Sequence, residues 1–137
     1  MEESVIKNNI NTAIELVYRV DGYLIEHNAH EQAISSRFAL HLQHLFPEWN
    51  VDVEYNRQGD NFDSKEDYVG HNRKPDVIIH KRGSAGPNLV IFLIKCEWNT
   101  QDRQKDEQVL ISLKNKHRYE YAFLVEIKKN NFTIEEK

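Results

Sequence analysis

The chain has 137 residues, 39% hydrophobic and 29% charged, with a formal charge of -4, and this balance describes a soluble globular domain rather than a disordered segment. Its length suits one domain spanning residues 1–137, with no internal repeat or boundary, able to bury a core without covalent staples. No run reaches the ~18 apolar residues of a membrane span, the single Cys96 precludes an internal disulfide, and the net negative charge argues against a generic nucleic-acid coat.

Val5, Ile6, Ile10, Ala13, Ile14, Val17 and Val20 recur at helical spacing, with Ser4 as N-cap and a stop near Asp21-Gly22. The opening Met1-Glu2-Glu3-Ser4 lacks the basic-then-apolar layout of a signal peptide. With the lone cysteine, this makes the cytoplasm the expected compartment. Tyr23 to His27 form a connector. Asn28-Ala29-His30-Glu31 has capping-box spacing and opens a second helix through Ile34, Phe38, Leu42, Leu45 and Phe46, which Pro47 helps to stop.

Val51, Val53 and Tyr55 alternate with polar residues, as in a half-buried strand near an edge. Residues 57–74 form a long polar segment that reads as a loop. Val77 to His80 and Val90 to Cys96 then read as strands, the second apolar on both faces and hence central. The eight residues from Lys81 to Asn88 suit an antiparallel hairpin. Asn99-Thr100 is a candidate cap for a third helix with Val109, Leu110 and Leu113 buried. Tyr121 to Ile127 is another apolar strand, and Phe132 to Ile134 a short last one. This order predicts an α/β fold: a three-layer α/β/α arrangement around a mixed sheet of about five strands, with one right-handed parallel crossover.

The hairpin places Asp76, at the mouth of its first strand, at the same sheet edge as Lys95 and Glu97, at the end of its second. An ammonium beside two carboxylates is a donor set for a divalent cation and a phosphodiester. A helix-borne Glu31, then Pro75-Asp76, then an apolar strand ending around Lys95 resembles the PD-(D/E)XK, or restriction-endonuclease-like, superfamily. The segment from Lys74 to Gly83 also resembles small prokaryotic and mobile-element members.

That resemblance implies a magnesium-dependent nuclease acting on DNA or RNA. Asp76 matches the family's metal-binding aspartate, and Lys95 the lysine that orients or activates the attacking water. The acid expected two residues before that lysine is Leu93, which cannot bind a metal. Glu97 shares the alternation of Lys95 and is the candidate replacement, with Glu31 as a third carboxylate. About 13 Å of strand separates positions 93 and 97, so Glu97 serves only if the strand end bends. The resemblance also makes a homodimer a candidate assembly. The alternative is an inactive descendant, using the same scaffold to bind a protein or nucleic-acid partner.

Simpler readings stand beside these. Asp76 can be a turn residue after Pro75, Lys95 the point where a strand meets solvent, and Glu31 half of a capping box. Glu97 can belong to a strand-to-helix turn. Arg57, Arg73, Lys74, Lys81 and Arg82 form a candidate phosphate-contacting rim, but Asp60, Asp63, Glu66 and Asp67 lie among them in sequence. The pairs His27/His30 and His41/His44 have zinc-compatible spacing, yet nothing completes a ligand set, so satisfied or solvated histidines are the expectation. Cys96 reads as core.

Overall fold

Apolar residues at helical spacing along the N-terminal segment generate the first element of the computed structural model, which describes residues 1–53, 75–83, 86–99 and 105–137. This helix, α1, spans Glu3–Val20 and buries Ile6, Ile10, Ala13, Ile14 and Val17 along one stripe. Its N-cap position is Glu2, two residues before the expected Ser4 cap. The connector is itself a short helix, α2, over Gly22–Glu26.

The next helix, α3, covers Glu31–Leu45 and buries Ile34, Phe38, Ala39 and Leu42. The expected capping box does not form. His30 is the N-cap, and no side chain caps the first turn. Asn28 instead adopts a left-handed backbone (φ 56°), and its side-chain oxygen accepts a hydrogen bond from Lys129 Nζ.

The sheet strands are β1 (Asn50–Val53), β2 (Val77–His80), β3 (Asn88–Cys96), β4 (Tyr119–Ile127) and β5 (Phe132–Glu136), hydrogen-bonded in that spatial order. Only β3 and β4 run parallel, and helix α4 (Asp106–Lys116) connects them; the other three pairings are antiparallel. The described residues are therefore mixed α/β, with five strands and four helices. β1 lies at an edge, as its alternation predicted, and β5 runs two residues past Ile134. The third long helix covers Asp106–Lys116 with Lys105 as N-cap, and its predicted stripe of Val109, Leu110 and Leu113 is buried; Thr100 of the expected cap lies outside the described residues.

Buried side chains form two clusters, one on each face of the sheet. One joins α1 and α3 to Val77, Ile79, Val90, Phe92, Ile94, Cys96, Phe123, Val125 and Ile127. The other joins α4 to Ile78, Ile91, Leu93 and Ala122, with Leu124 packed against it. Alternation along β3 from Val90 onward explains the division, since even-numbered residues there face α3 and odd-numbered ones face α4. Phe92 stands edge-on to Phe38 at 5.0 Å between ring centroids and stacks on Phe123 at 6.0 Å. Each such buried ring contributes on the order of 2 kcal/mol, and together they fix α3, and with it Glu31, against the sheet.

Candidate functional site

The carboxyl ends of β3 and β4, the start of β2 and the first turns of α3 and α4 lie at one end of the sheet. Asp76 N–H donates to the Phe92 carbonyl at 3.0 Å, which shows that even-numbered residues of β3 present their backbone polar groups toward β2. β2 itself begins at Val77. Past that point, two side chains meet the next outward amides. Asp76 Oδ2 accepts from Ile94 N–H at 2.6 Å, and Glu31 Oε2 accepts from Cys96 N–H at 2.8 Å. The two amides flank Lys95 in the chain. Their separation is about 7 Å, two residues of strand rise.

Lys95 is half-buried and, by the alternation of β3, faces α4 with Leu93. Asp76 precedes β2, and its carboxylate meets the amide of Ile94, the residue before Lys95. Glu31 approaches from the α3 face. The structure thus brings Asp76, Glu31 and Lys95 to one strand edge. Leu93 is fully buried in the α4-side core, where its apolar side chain belongs.

Glu97 goes elsewhere. The strand ends at Cys96, and Glu97 lies in a turn where its N–H donates to the Ile127 carbonyl at 2.8 Å. Its exposed side chain accepts from Lys129 N–H at 3.0 Å, in the β4–β5 turn. That turn is on the opposite side of β3 from Asp76. The alternation that would have kept Glu97 beside Lys95 stops one residue too early.

The same turn is tied down by Tyr18, whose hydroxyl donates toward the Lys128 and Asn131 carbonyls at 2.6 Å and accepts from Lys128 N–H at 3.1 Å. Burial pushes the phenol up to about 12; the Lys128 backbone bond opposes this, and Cys96 and Glu97 add to it. Lys129 Nζ binds the Ile25 carbonyl at 2.7 Å and lies over the Trp98 ring.

Two members of the predicted basic rim are at the other end of β2. Lys81 and Arg82 follow His80, roughly 17 Å of strand away from Asp76. Lys81 lies over Trp49 and donates to the Glu48 carbonyl. Arg82 pairs with Asp52, which also holds the buried His80 at 2.7 Å. Burial alone would raise the Asp52 carboxyl, but hydrogen bonds from His80 and Arg82, with their charges, outweigh it and hold it at about 2. These groups lock the β1–β2 edge. Arg57, Arg73 and Lys74 lie outside the described residues, as does the segment around them.

The histidines divide as their surroundings dictate. His41 Nε2 meets Asp21 Oδ2 at 2.8 Å, and Arg37 donates to Asp21 Oδ1 at 2.6 Å, joining the end of α1 to α3. His27 Nδ1 meets the Tyr23 carbonyl at 2.9 Å, and its ring stacks on Tyr23. Cys96 is buried in the core.

Sequence reasoning overlooked one group at this end of the sheet. The parallel register pairs Lys95 with Glu126 of β4, on the same face as the Leu93–Leu124 rung, and both residues are half-buried. A lone acid near the end of a central apolar strand was the available signal. Among the described residues, no group of three His, Cys, Asp or Glu side chains is placed to hold a metal ion. No described helix is long and apolar enough to cross a membrane. Comparisons with protein-family models, curated proteins and solved structures find no match for this chain.

Proposed function

We propose that this chain is a PD-(D/E)XK-like domain of three-layer α/β/α type, whose β3 edge engages a divalent cation and a phosphodiester of DNA or RNA. The observation that carries this reading is the convergence of Asp76 and Glu31 on the two amides flanking Lys95. Magnesium favours hard oxygen donors, one or two carboxylates with waters and substrate phosphate completing its shell, and Asp76 with Glu31 fits that demand. When bound, the cation would lower the pKa of a water and offset charge on the phosphoryl oxygens. Asp76 and Glu31 would hold it, and Lys95 would orient the attacking water. A cytoplasmic setting accords with the single buried thiol.

The test is calorimetric titration with magnesium and manganese, followed by nicking assays on plasmid DNA and single-stranded RNA. Binding that Asp76→Asn abolishes, with turnover that Lys95→Ala abolishes, is the expected result. A folded wild-type protein that takes up neither ion would defeat the reading.

A second reading has its own support. Leu93 fills the place of the usual second acid with core packing, and both remaining carboxylates are engaged by backbone amides. An inactive descendant that keeps these acids to finish a strand edge, and binds a protein or nucleic-acid partner, would look the same. Metal-independent nucleic-acid retention without cleavage would favour it.

A further inference from the structure

Lys95 does not face Asp76 alone. On its other side, directly across the parallel register, stands Glu126. Register partners in adjacent strands are separated by about 4.8 Å and project to the same face. Glu126 follows Ala122 and Leu124 on the α4 side, just as Lys95 follows Ile91 and Leu93. Its register partner in β5 is Thr133, which carries no charge. Two carboxylates therefore flank Lys95: Asp76, on the Ile94 amide toward β2, and Glu126, on the same rung toward β4. Lys95 closes no ion pair among the described residues, so its flexible stem can carry the charge to either side.

We propose that Glu126 is the positioning residue for Lys95, drawing its ammonium toward β4 and away from Asp76. The inference rests on the reading of Asp76 and Lys95 as the working edge. The electrostatics are simple. An ammonium seated on Asp76 competes with a divalent cation for the same oxygens, and a second carboxylate in the nearest register position relieves that competition. Glu126 need not touch the cation to strengthen its binding. Asp76 reaches β3 from the β2 side, whereas Glu126 lies beyond β3 on β4. Ligation of one ion by both is thus the less economical arrangement.

The first experiment needs no metal. A water-soluble carbodiimide joins contacting amine and carboxylate groups, activating the carboxylate and releasing a urea. The net change is loss of one water and formation of an amide. Peptide mapping is expected to show Lys95 coupled to Glu126, with the product absent from Glu126→Gln. Coupling of Lys95 to Asp76 alone, or no coupling of Lys95, would overturn the proposal.

The second experiment titrates manganese into wild type, Glu126→Gln and the double variant Glu126→Gln/Lys95→Met. The expectation is roughly three- to fivefold weaker binding in the single variant, recovered in the double. Loss in the single variant without recovery in the double would make Glu126 a ligand or a structural residue, and the proposal would fall. If wild type binds no manganese, the cation reading fails, while the cross-link still decides the pairing. Glu126→Asp, which keeps the charge, guards against a folding defect in the glutamine variant.

Discussion

Asp76 Oδ2 and the Ile94 amide, 2.6 Å apart, form the hydrogen bond that carries the β2–β3 edge past the first residue of β2. The carboxylate thereby has a structural duty that is separable from any ligand. Asp76→Ala removes the acceptor and is expected to cost about 1–3 kcal/mol of stability, the range for a buried donor left without its charged partner. Asp76→Asn keeps an acceptor oxygen and is expected to lose less than half of that while abolishing cation binding. Urea titrations of both variants, beside calorimetry, separate the two duties. Equal stability losses would mean that charge, and not the acceptor, holds the edge.

Glu31 permits the parallel comparison from the α3 side, through its 2.8 Å bond to the Cys96 amide. Glu31→Gln is expected to fold with near-native stability and to bind magnesium at least tenfold more weakly. Unchanged affinity would remove Glu31 from the cation site and leave it a strand-end acceptor.

Restoring the family's missing acid should fail. Leu93 is fully buried between β3 and α4. Leu93→Glu would place a carboxyl in that core, at an expected cost of more than about 3 kcal/mol. The check is the urea midpoint at pH 7. Wild-type stability would show that water already reaches this face and that the core boundary lies deeper.

Asp52 gives a pH prediction. Its folded carboxyl, held at about 2, lies below the ordinary 3.8, so its contribution is present above about pH 4 and is lost as the pH falls toward 2. At pH 7 that contribution is on the order of 2 kcal/mol. Asp52→Asn should be less stable than wild type by about that amount at pH 7, with the gap narrowing between pH 4 and 2. A gap constant across that range would show that shape, rather than charge, sets the contribution of the residue.

Much of this arrangement was legible in the chain. Periodicity located the stripe of α1, the apolar run of β3 and the inward face of α4, because each follows from burial repeating at 3.6 or 2 residues. β2 and β3 pair antiparallel, as the length of their connection implied. Failures gathered where local rules met tertiary contacts. Asn28-x-x-Glu31 has the spacing of a cap, but Lys129 claims Asn28 and Cys96 claims Glu31, residues 101 and 65 positions away. Glu97 obeys alternation only while the strand lasts, and its amide is captured by Ile127. Lys81 and Arg82 look close to Asp76 in sequence, yet an extended strand carries them to the far end of the sheet. Glu126 was hidden because a parallel register between segments joined through a helix cannot be read from either segment alone.

The pairing of two acids with the amides on either side of Lys95 turns the backbone into a reporter. A ligand that draws an oxygen off either amide loosens the proton it held, whereas one that binds elsewhere leaves both as slow to exchange as before. Ile94 and Cys96 should therefore register occupancy of this edge in exchange with heavy water, whatever the ligand is.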